Sequence, residues 1–190
     1  MKKQLKEFLI GVDVDVVKTI PVAGAVILKK NKDLNVWEIL LIRRTPQDRW
    51  PLHWEFPRGK CNSSDKTVKG CLDREVKEEV GLDVDIVRFI DKFEYLADGG
   101  SRKSVQYNFL CTMKDDKQPV VLGLSEHDMF KWVSSVGEVE LLTLPDIKKT
   151  IVKVLNVNKK LVDYPHTTST RKIKEMIDQF MEKRTWLNWW

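Results

Sequence analysis

Glu75, Glu78 and Glu79 stand at i, i+3 and i+4 in the run Arg74-Glu75-Val76-Lys77-Glu78-Glu79-Val80-Gly81-Leu82. Wound as a helix over residues 66–80, that spacing stacks three carboxylates on adjoining positions of one surface. The same helix carries an apolar stripe of Val68, Cys71, Leu72, Val76 and Val80, and Glu75 and Glu79 fall inside it with Glu78 at its edge. Carboxylates on a buried side lose hydration and repel one another, which costs several kcal/mol unless protons or cations compensate. Converging carboxylate oxygens are hard ligands, suited to Mg2+ or Mn2+ rather than zinc. The competing reading is a solvated acidic helix end balanced by Lys77 and Arg74.

The neighbouring residues would position and complement such a cluster. Gly59 opens a turn that leads through Lys60 and Cys61 to Ser63, Ser64 and Asp65, the candidate N-caps of the helix, and Gly81 is the expected left-handed stop. A glycine lets its carbonyl approach a metal, so Gly59 joins Glu75, Glu78 and Glu79 as an expected ligand. Arg74 precedes Glu78 by four residues and can fix its orientation. Arg43, Arg44, Arg58 and Lys60 lie close along the chain to the glycine turn and would cradle phosphate. His53 has no partners nearby for a triad and reads as structural.

The stretch from Gly59 to Leu82 resembles the Nudix box, G-x5-E-x7-R-E-U-x-E-E-x-G-U with U apolar. The second half matches at every specified position, from Arg74 to Leu82. The first half departs from it. Asp65 stands where the family has Glu, and eight residues rather than seven then separate it from Arg74. A one-residue insertion in the turn before the helix accounts for this and spares the acidic cluster. It makes the family's contact between that first acid and the arginine the part least expected to carry over.

The resemblance spans roughly residues 19–157 and implies an α+β fold, an α/β/α sandwich around a mixed sheet. It also implies Mg2+- or Mn2+-dependent hydrolysis of a pyrophosphate linkage in a nucleoside diphosphate joined to another moiety, with water as nucleophile. In that family the base is a glutamate of the helix or of a later loop, so Glu79 and Glu126 are the candidates. Glu126-His127 and Trp132 resemble the segment E-H-x-x-x-x-W of asymmetric diadenosine tetraphosphate hydrolases. The hairpin around residues 93–105 resembles theirs as well, which gives Tyr95 a base to stack on and Lys103 a distal phosphate. Trp54-Glu55-Phe56-Pro57-Arg58-Gly59-Lys60 resembles instead the entry to the box in mRNA-decapping enzymes. The expected partners are therefore a nucleotide or dinucleoside polyphosphate, with an RNA 5′ end as the alternative. A non-catalytic Nudix-fold binding module is the rival of another class, and the intact glutamate set speaks against it.

At 190 residues with 42% hydrophobic and 32% charged side chains, the chain has enough material for one substantial core. A net charge of +5 suits polyanionic substrates, although lysine excess also serves solubility. Three cysteines without a CxxC pair suggest neither a disulfide framework nor a zinc site, so Cys71 and Cys111 read as reduced core thiols and the expected compartment is the cytoplasm. No run reaches transmembrane length, so no membrane partner is expected, and assembly is expected as a monomer or homodimer. The order of elements predicts strands over 19–29, 36–44, 84–96, 104–113, 120–122 and 129–133, and a second helix over 145–155. Residues 1–18 form an N-terminal extension with an edge strand at 9–17, and residues 158–190 form a helical extension. The latter has i, i+3, i+4 apolar spacing over 169–183 and ends in Trp186, Trp189 and Trp190, read as a staple to the body or as a stacking surface for a base or RNA.

Overall fold

Strand β1 (Lys18–Asn31) runs through the middle of the molecule and is the reference for every other element. The computed structural model describes residues 18–97, 102–139 and 143–158. Within β1, Val26 and Leu28 face one side of the sheet and Ala25 and Ile27 the other, all fully buried, so both faces must be covered. Strand β2 (Val36–Arg44) repeats the pattern: Ile39 and Leu41 on the first face, Leu40 and Ile42 on the second.

The sheet is mixed. β1 pairs antiparallel with β2 at Leu28–Asn31 and with the short β4 (Arg58–Lys60) at Val22–Gly24, and parallel with β6 (Arg102–Met113) over Lys18–Leu28. β5 (Val84–Ala97) pairs antiparallel with β6, while β3 (Trp54–Glu55) and β7 (His127–Val133) both pair with β2. Helix α1 (Val68–Val80) covers the second face with Cys71, Leu72, Val76 and Val80. Helix α2 (Pro145–Asn158) covers the first with Ile147, Ile151, Val154 and Leu155. The expected α/β/α sandwich is the observed one.

Several local expectations are corrected. The α1 N-cap is Thr67, whose hydroxyl accepts from Gly70 N at 3.0 Å, not Ser63, Ser64 or Asp65. Those three form a separate 3-10 turn capped by Asn62. Lys66 joins turn to helix at φ 54°. Gly81 ends α1 in the left-handed region at φ 70°, as its type demands. Residues 120–122 are not a strand. Val121 N and the following Gly123 N donate instead to the last carbonyls of α1, to Val80 O at 3.0 Å and Glu79 O at 2.9 Å.

Cys71 is not a free thiol. It pairs with Cys61 in a disulfide, with Cα atoms 5.1 Å apart, that ties the glycine turn to α1. Linear spacing concealed a pair that the helix brings together, and one support for a reducing compartment is thereby lost. Cys111 is the buried free thiol among the described residues, and burial raises its pKa. No described helix is long and apolar enough to cross a membrane. The expected N-terminal edge strand, the 169–183 helix and the terminal tryptophans lie outside the described residues.

Candidate active site

β4 runs antiparallel to β1 and delivers Gly59 against the side of α1 that carries the glutamates. A Cβ at Gly59 would overlap the Glu75 carboxylate, so any larger residue must push that side chain out of the position it holds here. Gly59→Ala is accordingly expected to displace Glu75 and cost about 100-fold in turnover, since small misplacements of reacting groups have costs of that order. Saturating-metal kinetics alongside a melting curve would check that the fold survives.

Glu75, Glu78 and Glu79 line one side of a cavity of about 450 Å³. Arg74 Nη1 lies 2.9 Å from both Glu75 Oε1 and Glu78 Oε2, so a positive group already occupies the space these two carboxylates share. Glu79 is 8% exposed, and its Oε2 accepts from the backbone N–H of Arg58 at 2.8 Å. Burial, then the like charge of Glu55, push Glu79 well above the ordinary carboxylate range; burial raises Glu75 as well. The three glutamates supply hard oxygens of the kind Mg2+ or Mn2+ takes, beside Gly59, although Arg74 holds Glu75 and Glu78 and the three carboxylates do not all come within 4.8 Å of one another. Cys61, Cys71 and Asp65 also meet, but the sulfurs are paired and Asp65 is taken by Arg74, so that group has no ligand to spare.

The contact between the first acid and the arginine is present despite the insertion. Arg74 donates from Nε and Nη2 to Asp65 at 2.8 and 2.9 Å and from Nη2 to the Lys60 carbonyl at 3.0 Å. Asp65 is held at about 2 by Arg74 and by the Asn62 N–H. The arginine thus fixes turn, helix and two glutamates together.

A second layer lies behind the glutamates. Glu55, 3% exposed, bridges Arg44 Nε through Oε1 at 2.7 Å and Arg58 Nε through Oε2 at 2.6 Å, and His127 Nε2 lies 3.3 Å from Oε1. Burial would raise Glu55, but Arg58, His127 and Arg44 together hold it at about 2. His127 Nδ1 sits 4.0 Å from Glu79 Oε1, so Glu55, His127 and Glu79 form a continuous buried line. Arg58 also donates to Gln106 Oε1 at 3.0 Å and to the Tyr95 hydroxyl at 3.4 Å.

Of the residues singled out from sequence, Gly59, Arg58, Lys60, Arg74, Glu75, Glu78, Glu79, Tyr95 and Glu126 all line the cavity. Glu126 arrives because Gly123 hangs its loop on α1 and Thr45 N binds the Glu126 carbonyl at 2.9 Å; its carboxylate lies 3.7 Å from Arg44. Arg43 and Lys103 are not brought there. Arg43 pairs with Asp128 through Nε at 2.8 Å and lies over the Trp54 ring. Lys103 pairs with Glu94 at 2.6 Å. It stands opposite Leu96, one residue out of phase with Tyr95 and Ala97, and alternation gives the cavity to Arg102, the residue opposite Ala97. Sequence reasoning missed Glu55, His127 and Trp50; a charged Glu inside the apolar Trp54–Phe56 stretch was the available signal for the first.

The family model of the NUDIX domain matches residues 18–155, and the chain belongs to that family. It is similar to mRNA-decapping enzyme subunit 2 of Saccharomyces cerevisiae, 31% identical over 138 residues. Those residues are 72% of this chain but 12% of the yeast protein, so the chain spans about an eighth of that relative's length. Among solved structures, an Ap4A hydrolase of C. elegans superposes with a TM-score of 0.60 at 20% identity, covering 76% of this chain and 99% of that one. A MutT protein from Methanosarcina mazei gives 0.58 at 24% identity, covering 76% and 98%. These two likenesses concern the fold.

Proposed function

We propose that this chain is a metal-dependent pyrophosphohydrolase that cuts a polyphosphate bridge between two nucleosides. The observation that carries this reading is the buried Glu79 carboxylate, crowded by Glu55 and Glu75, in a cavity that Gly59, Glu75, Glu78, Arg58, Lys60 and Arg102 also line. Bound Mg2+ or Mn2+ would neutralise phosphate charge and acidify a water. Glu79, steadied by the Arg58 N–H, would take the proton of an attacking water as the water oxygen bonds to phosphorus and the bridging oxygen leaves with the second phosphate. Glu126, on the opposite loop, is the second candidate for the proton. Arg74 holds Glu75 and Glu78 in register, and Arg58 and Lys60 receive the phosphates.

Two substrates share this linkage. Glu126 in the cavity favours a free dinucleoside polyphosphate by its likeness to the E-H segment, although Lys103 on the far face withholds the expected phosphate contact. The 31% identity to the yeast decapping subunit favours a capped RNA 5′ end. Turnover of diadenosine tetraphosphate and of capped RNA, side by side at two salt concentrations, separates them. Faster, salt-sensitive turnover of the RNA selects the second; cleavage of neither overturns the hydrolase reading.

A further inference from the structure

Trp50 is a large apolar side chain left 44% exposed, yet it lines the same cavity as the glutamates. Its loop between β2 and β3 is built rather than slack. The Trp50 N–H donates to Asp48 Oδ1 at 2.9 Å, and Asp48 Oδ2 accepts from Arg44 Nη1 at 2.8 Å. The loop closes through His53 N to Trp50 O at 3.3 Å and Arg44 N to His53 O at 2.9 Å, with Leu52 accepting a left-handed φ of 61°. Among the described residues its aromatic contact is with the His53 ring, T-shaped at 5.8 Å, so no described ring stacks on it in parallel. The other aromatic lining the cavity, Tyr95, is engaged differently: its hydroxyl takes the Arg58 donor and its ring leans on Phe93 at 6.1 Å.

We infer that Trp50 is a stacking platform for a nucleobase of the substrate, a subsite on the β2–β3 loop separate from the phosphate wall. An exposed indole in a cavity otherwise lined largely by charged side chains wastes apolar surface unless a flat ligand covers it. The loop's hydrogen bonds hold the backbone that carries the ring, so the loop itself needs little ordering when the base arrives. The Arg44 guanidinium ties this loop to Glu55 and approaches Glu126, and Trp50 and the three glutamates line one cavity. The inference rests on the nucleotide-substrate reading above.

Calorimetric titration of the intact protein with AMP and with ribose 5-phosphate tests it, because the two differ only by the base. Wild type is expected to prefer AMP; Trp50→Ala should weaken AMP about ten- to hundredfold and leave ribose 5-phosphate within error, while Trp50→Phe restores most of the preference. For turnover of diadenosine tetraphosphate, Trp50→Ala should raise KM more than it lowers kcat. An unchanged AMP preference in Trp50→Ala, or no preference in wild type, overturns the inference. Wild type that binds AMP through Trp50 but cleaves no phosphoanhydride would instead leave the platform standing and remove the hydrolase reading.

Discussion

Glu79→Gln lowers turnover by about 10²–10⁴-fold, the usual contribution of a positioned proton acceptor, and in the absence of metal it makes the protein more stable. Both outcomes come from one fact. Glu79 is buried beside like charge, and its pKa in the metal-free fold lies well above 4.5. Below pH 4.5 the carboxyl is protonated in folded and unfolded chains alike, and the substitution changes little. As pH rises through the unfolded value, the unfolded chain releases its proton first, and the wild type loses stability until the folded value is passed. The gain from Gln is therefore small at pH 4 and full at alkaline pH. Urea unfolding in chelator at pH 4 and pH 8 measures it. Equal gains at the two pH values would contradict the burial argument, and near-normal kcat would take Glu79 out of the chemistry.

Removing Glu55 should be the most destabilising single change at the site. Its carboxylate is the shared counterion of Arg44 and Arg58, whose side chains are 14% and 10% exposed. Truncation removes the buried anion from both guanidiniums, although Arg44 keeps its pair with Asp48, and breaking a buried pair in this way costs roughly 3–5 kcal/mol. Glu55→Ala is thus expected to lower the melting temperature steeply and, by loosening Arg58, to blunt catalysis as well. The linkage sign is opposite to that of Glu79. Glu55 sits at about 2 in the fold against 4.5 unfolded, so its contribution is complete above pH 4.5 and disappears as pH falls toward 2. The wild-type and Glu55→Ala stability curves should therefore converge in acid; parallel curves would show that the ion pairs carry no net stability.

The halves of this site differ in how far sequence alone reveals them. The glutamates were legible because helical periodicity converts i, i+3 and i+4 into a shared surface, and because charge inside an apolar stripe is anomalous. The sandwich was legible from the apolar runs at residues 19–29 and 36–44, which need cover on both faces. Pairing was not. Choosing Lys103 over Arg102 depends on the register of β5 against β6, and a slip of one residue sends each side chain to the other face. Glu55 meets Arg44 and His127 only because β2 is flanked by β3 and β7, a juxtaposition with no local signature. The disulfide escaped for a similar reason: Cys61 and Cys71 are ten positions apart, and only the turn into α1 brings them together. Asp65 keeps its hold on Arg74 because the 3-10 turn at Ser63–Asp65 brings its carboxylate against α1, a juxtaposition that residue counting does not reveal.

The most direct measurement is cleavage of diadenosine tetraphosphate and capped RNA by the intact protein in ¹⁸O-labelled water, with Mg2+, with Mn2+ and with chelator, alongside calorimetric metal titration. Metal binding at the glutamates, cleavage restored by either ion, and label entering one phosphate product per turnover are the expected results. A protein that takes up neither ion and leaves both phosphoanhydride substrates whole would contradict the account at its root.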